Sequence, residues 1–360
     1  MDERPRCFGG YNADANICET CHVRLGCRKS GDTGKLRQPT AVRLADETEG
    51  ELEVEGFHLG YTLGSGQVFR WGRDVDGWWK GIAYGTAFHL KQAGSRIRYH
   101  ASAAQVSTYS GAMETEAFLR WYLRLDEPPK VVVPRGDTHL RKARDLLKEM
   151  RFVRQEPAEC VPSYVLSVQA RMALTKQRLN FLARILGERL DFKGECYYTF
   201  PTPEALGDLS EVFLRRHRFG WRSPWVVQSA RFMEERLASL ADAGLEEWRA
   251  IVDTLRTVRR SGLGLKVAKC IDLFSLERLN AVPVDTWVKK FCSEWYDLEG
   301  SDKKLCEWAE ARGGRWAGYM NEYLFIYYRE VMSTTLSDRI ITFCESEEAS
   351  PELPMEDRAG

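Results

Sequence analysis

The sequence lacks the features that mark membrane, secreted and strongly basic proteins. It has no run of about eighteen apolar residues, so we expect no transmembrane helix. Its first residues are acidic and arginine-rich, so we expect no secretory signal peptide. It has no net charge, with 52 Lys and Arg against 52 Asp and Glu, and no internal repeat. Together these absences predict a soluble, intracellular protein.

The charge is nevertheless distributed unevenly along a chain that is long enough for two domains. The 360 residues are 44% hydrophobic, which is sufficient for a large core. Arg141–Arg178 carries nine basic residues against four acidic ones, and Glu211–Arg222 carries four against one. The tail from Phe343 has six acidic residues and one basic residue. This pattern predicts a local surface for a polyanion such as DNA on an otherwise neutral protein.

Four of the ten cysteines lie within the first thirty residues. Cys7, Cys18, Cys21 and Cys27 have the spacing C-x10-C-x2-C-x5-C. So short a segment cannot fold by burial alone, and four thiolates suit a structural metal. We predict zinc, with a [4Fe-4S] cluster or unliganded thiols as alternatives, and His22 could replace one thiolate. The other six cysteines are scattered and predict buried thiols of a reducing compartment.

Hydrophobic periodicity predicts an α+β protein. Alternating residues between Leu52 and His100 predict an antiparallel sheet. A helical period is predicted for Thr115–Leu125 and His139–Phe152, and it dominates from Pro162 to Met332. The predicted units are a metal-binding module (1–30), a linker (31–50), a β-rich domain (51–150), a helical domain (151–342) and an acidic disordered tail (343–360).

Lys266 and Asp285 are the strongest candidates for catalytic residues. Lys266 follows the glycine-containing string Ser261-Gly262-Leu263-Gly264, and Asp285 follows Val282-Pro283-Val284. Their separation of 19 residues fits one helix and a connection, so both can face one cleft. Backbone N–H groups of such a turn can bind a phosphate. Burial beside Val267 and Ala268 predicts a lowered pKa for a nucleophilic Lys266, and Asp285 could stabilise positive charge on a sugar.

Each of these two residues also has an ordinary structural interpretation. A lysine on an amphipathic helix is usually a solvated surface charge. An aspartate before a helix is usually an N-cap. The combination of glycine turn, lysine and Val-Pro-x-Asp is much more specific than any of its parts.

This combination resembles the helix–hairpin–helix (HhH-GPD) DNA glycosylase superfamily, and it is most similar to the 8-oxoguanine DNA glycosylase branch. The superfamily pattern has proline where this chain has Ser261. The resemblance implies a β domain like TATA-binding protein, followed by an all-α helix–hairpin–helix domain. It implies a monomer that acts on double-stranded DNA as a bifunctional glycosylase and lyase, through a Schiff base on Lys266 and without a catalytic cofactor.

Four further motifs carry the resemblance, which extends from about Gly56 to about Glu330. They are Gly64–Trp71 (GSGQVFRW), Arg154–Cys160 (RQEPAEC), Phe219–Arg222 (FGWR) and Gly318–Phe325 (GYMNEYLF). By resemblance, the carbonyl of Gly66 accepts the N7 hydrogen that distinguishes the oxidised purine. Cys270 and Phe325 stack on the two faces of the base, and the amide of Asn321 contacts its edge.

The resemblance also implies contacts with the DNA around the lesion. The DNA-binding positions are Gln169, Trp221, Arg222, Gly262, Gly264 and Trp287. Gln169 would fill the vacated stack, Trp221 would wedge between bases, and Arg222 would reach toward the orphaned base. The glycines and Trp287 would pack on the backbone.

Four positions depart from the family pattern and leave alternatives open. Gln169 replaces an asparagine, Trp287 replaces a histidine, and Asn321 replaces a glutamine. Leu174 replaces the arginine that reads the opposite cytosine. The alternatives are a glycosylase for an alkylated or ring-opened purine, and a non-catalytic protein that binds damaged DNA.

Overall fold

The structure of the protein is a computed structural model that describes residues 46–237 and 243–332. An antiparallel sheet forms the first part of this region and helices dominate the second, which confirms the predicted α+β class. The four-cysteine module, the acidic tail and most of the predicted linker lie outside the described residues. Within the described ranges, no helix combines the length and the apolar character needed to pass through a bilayer.

Five antiparallel strands form the main sheet in the order β1-β5-β4-β3-β2. They are β1 (Thr48–Glu53), β2 (Trp71–Arg73), β3 (Trp79–Ala83), β4 (Thr86–Ala93) and β5 (Arg96–Ala101). In β5 the residues alternate, with Ile97 and Tyr99 buried and Arg96 and Arg98 exposed, because successive side chains of a strand point to opposite faces. Residues 48–50, which the sequence places in a linker, pair with β5 as part of β1.

An aromatic cluster holds the strand that follows the Gly64–Trp71 motif. The same part of the chain also contains a short helix, α1 (Leu59–Gly64), and a hairpin of β6 (Gln105–Thr108) and β7 (Gly111–Glu114). The main sheet packs against α2 (Thr115–Tyr122). The ring of Phe118 lies 5.4 Å from the rings of Phe88 and Tyr122. Trp71 in β2 donates from Nε1 to the Tyr122 hydroxyl at 3.0 Å. This packing fixes the position of Trp71, five residues after Gly66.

The helical part surrounds the larger core. Its helices are α3 (Thr138–Leu147), α4 (Pro157–Ser167), α5 (Met172–Leu186), α6 (Pro203–Gly207), α7 (Glu211–Arg216), α8 (Ser223–Glu234), α9 (Leu245–Leu255), α10 (Leu265–Phe274), α11 (Thr286–Tyr296), α12 (Asp302–Gly313) and α13 (Ala317–Met332). Helix α3 packs against α13, and Leu140, Ala143 and Leu147 lie in this core. Helix α3 therefore belongs to the helical core by packing, although its residues precede the predicted domain boundary at residue 150.

Two helices end earlier than periodicity predicts. The helix predicted over Thr115–Leu125 ends at Tyr122, and the helix predicted over His139–Phe152 ends at Leu147. Arg124 adopts a positive φ of 53°, which stops α2. It is held there because its guanidinium donates to the Phe152 carbonyl and to the Glu277 carboxylate. Tertiary hydrogen bonds thus override the local helical pattern.

A β-hairpin interrupts the region that periodicity predicts to be helical throughout. Strands β8 (Arg189–Phe192) and β9 (Glu195–Tyr198) are joined by Lys193 and Gly194, with φ of 49° and 77°. Two consecutive positive φ values make the tight turn that suits a two-residue hairpin. The hairpin packs on the main sheet, where the Tyr197 hydroxyl lies 2.7 Å from His89 Nε2. The helical prediction was wrong here, because four-residue strands give almost no periodic signal.

Candidate active site

The glycine turn before α10 places Lys266 at the second position of the helix. Gly262 has a φ of 78°, a conformation that side-chain-bearing residues rarely adopt. A Cβ at this position would lie 2.9 Å from the Trp225 ring, so the space also requires glycine. Gly264 is the N-cap of α10 and has no side chain to cap it. The first N–H groups of α10 are therefore available to an anion.

Asp285 is the N-cap of α11, so the ordinary structural interpretation applies to its geometry. Its Oδ1 accepts hydrogen bonds from the backbone N–H groups of Trp287 at 2.8 Å and Val288 at 2.9 Å. Among the described residues, Oδ2 has no hydrogen-bond partner. Capping thus holds the carboxylate in one orientation and leaves its second oxygen free for another partner.

Lys266 lies beside the ring of Tyr164, which connects the helical part of the protein to the β-rich part. Its Nζ lies 5.6 Å from the centre of the Tyr164 ring, which belongs to α4. The Tyr164 hydroxyl donates to the backbone carbonyl of Gln67 at 2.9 Å. The sequence analysis did not single out Tyr164, although it lies four residues after Cys160 of the Arg154–Cys160 motif. Tyr164 therefore couples the position of Lys266 to the turn that contains Gly66.

The expectation of a lowered pKa for Lys266 was wrong. The pKa of Lys266 is raised, first by the neighbouring Cys270 and then, against the effect of burial, by Asp285 and Glu322. Burial raises the pKa of the Cys270 thiol to about 11, and Lys266 lowers it. Lys266 is therefore an ammonium at rest, in a site that also contains the Asp285 carboxylate. The free amine must be formed by loss of a proton before it can attack.

The Gly66 turn is held by a buried glutamine. Gln67 donates from Nε2 to the Arg151 carbonyl at 2.9 Å, and its Oε1 accepts from the Val153 N–H at 2.8 Å. Its own carbonyl accepts from Gln155 Nε2 at 2.8 Å. Gly66 itself has a φ of 98°, which glycine adopts without strain. The predicted base-binding carbonyl therefore lies in a turn fixed from both parts of the protein.

The other predicted base-binding residues lie on α10 and α13. Cys270 lies one turn after Lys266 in α10 and is buried, and Asn321 in α13 is 4% exposed. Phe325 lies one turn after Asn321 and is partly buried, with the Arg329 guanidinium 5.3 Å from its ring. Among the described residues, the Asn321 amide makes no hydrogen bond, so it can bind a ligand.

Glu322 is the residue of this site that the sequence analysis missed. It lies in α13 next to Asn321 and is 7% exposed. Burial raises its pKa to about 8, with Asp285 adding to the effect and Arg329 and Lys266 opposing it. The signal in the sequence was an acidic residue inside the otherwise uncharged string Tyr319–Phe325. A buried carboxyl with so altered a pKa is typical of functional sites.

The predicted stack-filling residue lies on a loop that an arginine holds. Gln169 is exposed and has a positive φ of 48°. Arg222 is 5% exposed, and its guanidinium donates from Nε to the Val168 carbonyl at 2.7 Å and from Nη2 to the Gln169 carbonyl at 2.9 Å. Arg222 therefore positions the Gln169 loop in the structure. Its guanidinium binds backbone carbonyls of this loop, whereas the sequence analysis predicted that it reaches toward an orphaned base.

Trp221, the residue predicted to wedge between bases, is connected to the glycine turn through Trp225. The Trp221 side chain is 41% exposed, and its ring meets Trp225 edge to face at 4.6 Å. Trp225 also covers Gly262. Trp287 is partly buried, 6.1 Å from the Tyr328 ring, with Lys290 Nζ 4.7 Å from its own ring. Trp221 and the glycine turn are thus connected through Trp225, whereas Trp287 packs against α13.

Among the described residues, no group of three or more His, Cys, Asp or Glu side chains could hold a metal ion. Cys7, Cys18, Cys21, Cys27 and His22 lie outside the described residues. Five of the six scattered cysteines are described, and all five are free thiols; four of them are buried, as the sequence predicts, whereas Cys196 is only partly buried.

Comparisons with known proteins identify a matching family for residues 51–161 and related proteins over about half of the chain. Residues 51–161 match the family described as "8-oxoguanine DNA glycosylase, N-terminal domain". "Probable N-glycosylase/DNA lyase" of Methanothermobacter thermautotrophicus is 26% identical over 216 residues, which are 54% of this chain and 68% of that protein. "N-glycosylase/DNA lyase OGG1" of Arabidopsis thaliana is 29% identical over 205 residues, which are 53% and 55% of the two chains. These matches support the 8-oxoguanine DNA glycosylase family.

A solved structure extends the likeness over most of the described region. It is Clostridium acetobutylicum 8-oxoguanine glycosylase/lyase in complex with dsDNA containing cytosine opposite 8-oxoG. The two chains are 25% identical with a TM-score of 0.64, and the match covers 81% of this chain and 99% of the other. The α+β arrangement is therefore shared with an enzyme that was solved on DNA.

Proposed function

We propose that this chain is a DNA glycosylase with lyase activity that removes 8-oxoguanine from double-stranded DNA. One observation carries the proposal: Lys266, half-buried at a helix start behind a glycine turn, lies within the electrostatic influence of Asp285, whose carboxylate is held at the start of α11. The likeness to named glycosylase/lyases supports the same reaction. Borohydride trapping of a covalent protein–DNA adduct tests it, because only a Schiff base is reduced to a stable linkage.

The reaction follows from the charges in the cleft. A damaged nucleotide leaves the stack at a cost of a few kcal/mol and enters the site. The free amine of Lys266 attacks C1′ as the bond to the base breaks, and the Asp285 carboxylate stabilises the positive charge that develops on the sugar. The resulting Schiff base permits β-elimination, which cleaves the strand.

Recognition of the base is proposed for four residues around this cleft. The Gly66 carbonyl, held by the hydrogen bonds of Gln67, would accept the N7 hydrogen of 8-oxoguanine. Cys270 and Phe325 would contact the two faces of the base, and the unpaired Asn321 amide would contact its edge. A fixed backbone carbonyl discriminates well because it cannot rotate away from an unfavourable partner.

The surface around the cleft suits DNA. Met172, Trp221 and Leu265 are large apolar side chains that are 41%, 41% and 43% exposed. They flank the Gln169 loop, the wedge position and the glycine turn, and such exposure is typical of an interaction site. The helices α9 and α10 on either side of this turn would act as a helix–hairpin–helix, and the main sheet as the domain like TATA-binding protein.

Two other functions remain as alternatives. The short Asn321 amide favours a different purine lesion, since it reaches about one methylene less far toward the base edge than glutamine. A non-catalytic damage-binding protein is disfavoured by the presence of both Lys266 and Asp285. Trapping on duplexes with 8-oxoguanine, a ring-opened purine or an alkylated purine separates these cases, and a sensor would form no adduct with any of them.

Leu174 predicts weak discrimination of the base opposite the lesion. It has no donors, and a bidentate arginine contact is worth roughly 1–3 kcal/mol, or about ten- to a hundredfold. Arg222 is occupied by backbone carbonyls, which leaves exposed Arg171 as the nearest arginine on the same loop. We expect excision opposite C, A, G and T at single-turnover rates within about tenfold of one another.

The Leu174→Arg variant provides the matched comparison. It should increase the preference for cytosine by about ten- to a hundredfold. A wild-type preference for cytosine beyond about a hundredfold would show that another residue, such as Arg171, reads the opposite base.

For the four N-terminal cysteines we propose a structural zinc site. Four thiolates with one C-x2-C pair form a suitable donor set, and we route no step of the reaction through it. Metal analysis of aerobically purified protein should find about one zinc per chain. Cys21→Ser should lose the metal, while Cys196→Ser, a free thiol in β9, should keep it. A brown protein that absorbs near about 400 nm would indicate an iron–sulfur cluster instead.

A further inference from the structure

Arg178 is a charged residue on the buried face of α5. It is 7% exposed, and Leu182, one turn further along the same face, is buried as well. Its guanidinium donates to the backbone carbonyl of Arg218, from Nε at 3.1 Å and from Nη2 at 2.6 Å. Arg218 follows α7 and begins a short segment, Arg218–Arg222, that we call the wedge turn because it carries Trp221. Arg178 therefore connects α5 to the wedge turn.

Arg222 makes a second connection in the opposite direction. It ends the wedge turn and is 5% exposed. Its guanidinium donates to the carbonyls of Val168 at 2.7 Å and Gln169 at 2.9 Å, which lie in the loop before α5. The same guanidinium lies 4.3 Å from the centre of the Trp221 ring. Two arginines thus join α5 and its preceding loop to the wedge turn, one from each side.

Both connections end at residues with an unusual backbone conformation. Gln169 has a φ of 48° and Arg218 a φ of 67°, values that residues with side chains rarely adopt. Among the described residues, neither Arg178 nor Arg222 pairs with a carboxylate, so both guanidiniums bind backbone carbonyls instead. A planar guanidinium can hold one carbonyl with two N–H groups, a geometry that the ammonium of lysine does not reproduce. The two arginines therefore keep two strained turns in a fixed relation.

Resting on the proposed function, we propose that Arg178 and Arg222 hold Gln169 and Trp221 as one unit, so that both side chains enter the DNA stack together. Gln169 is exposed and Trp221 is 41% exposed, so both are available to DNA. Side chains that are already held in place lose less conformational freedom when they insert. Insertion of one therefore favours insertion of the other. Arg178 is too buried to contact DNA itself, and it is a positioning residue that acts through Trp221.

The first test is Arg178→Met, which removes the N–H groups and keeps a side chain of similar length. Opening of the duplex is followed by the fluorescence of 2-aminopurine placed next to 8-oxoguanine, and base release is measured in single turnovers. Loss of a hydrogen bond from a charged donor corresponds to about a ten- to hundredfold effect. We expect the equilibrium for duplex opening and the rate of base release to fall by about this factor.

A second substrate separates insertion from the stability of the fold. 8-oxoguanine opposite an abasic-site analogue has no pairing partner, so less free energy is needed to open the duplex. On this substrate Arg178→Met should react within about threefold of the wild type. A variant that is merely less stable would lose the same factor on both duplexes, and thermal melts report its stability directly. Arg178→Lys, which retains the charge and one donor, should recover part of the loss.

Arg231→Met is the matched control. Arg231 lies in α8, and its Nε donates to the Gly207 carbonyl at the end of α6 at 2.8 Å. The substitution therefore removes the same kind of bond between two elements, but at neither the Gln169 loop nor the wedge turn. We expect duplex opening and base release to stay close to those of the wild type.

A double-mutant cycle tests the coupling itself. Gln169→Ala, Trp221→Ala and the double variant are compared in the fluorescence assay, once in the wild type and once together with Arg178→Met. In the wild type, the double variant should lose at least about threefold less than the product of the two single effects. In the Arg178→Met background the two effects should multiply, because the two residues then act independently.

The outcomes distinguish this inference from the function on which it rests. A wild type that releases no base and forms no adduct contradicts the proposed function. Independent effects of Gln169→Ala and Trp221→Ala in an active wild type overturn the coupling. Equal losses for Arg178→Met on the two duplexes, or a cycle that Arg178→Met leaves unchanged, overturn the role of Arg178 alone. If Arg178→Met does not fold, Arg178→Lys decides by the same comparisons.

Discussion

Lys266→Gln should abolish both base release and the borohydride-trapped adduct, while binding of 8-oxoguanine DNA persists. Glutamine keeps a polar group of similar reach at the second residue of α10 but has no nucleophilic lone pair. The glycine turn, the wedge and the base-contacting residues are left in place. Gel shifts measure binding, and denaturing gels with and without borohydride measure the chemistry.

Lys269→Gln is the matched control for this variant. Lys269 lies three residues further along α10, and its ammonium pairs with Glu310 on α12 rather than facing the cleft. We expect adduct formation close to that of the wild type. An adduct that persists in Lys266→Gln at the wild-type level would show that another amine performs the reaction.

Asp285→Asn should fold and bind DNA but lose roughly 2–4 kcal/mol of transition-state stabilisation, or about 30- to 10³-fold in rate. Asparagine caps helices about as well as aspartate, so its Oδ1 can keep the bonds from Trp287 and Val288. Only the negative charge beside the developing positive charge of the sugar is lost. Single-turnover base release measures the effect.

Asp285→Ala separates the cap from the charge. Alanine removes both, so it should lose stability by about 1 kcal/mol in addition to the loss of rate. If Asp285→Asn reacts as fast as the wild type while Asp285→Ala loses stability, Asp285 acts as an N-cap and not in the chemistry.

The placement of Lys266 and Asp285 could be predicted because it depends on local sequence. A glycine turn before one helix and a Val-Pro-Val connection before the next put both residues at helix starts within 19 positions of the chain. The α+β class was likewise predictable, because the period of two before His100 and the period of 3.6 after Pro162 differ clearly. Strands as short as β8 and β9 leave no comparable signal.

The electrostatics of the site could not be predicted in the same way. The pKa of Lys266 depends on Cys270, Asp285 and Glu322, and these groups meet only after α10, α11 and α13 have packed. Desolvation alone suggests a lowered pKa, whereas the electrostatic effects of these neighbours raise it. Similarly, nothing in the sequence near Arg222 shows that its guanidinium is used by the carbonyls of the Gln169 loop.

The central claim is that one lysine at the start of α10 becomes covalently attached to the sugar of the damaged nucleotide. Its most direct test is to reduce the wild-type complex with borohydride, digest it and locate the modified residue by mass spectrometry. We predict the DNA-derived mass on Lys266, within the peptide that contains Gly262 and Gly264. Modification of a different lysine or of the N-terminal amine, or the absence of any adduct, would contradict the claim.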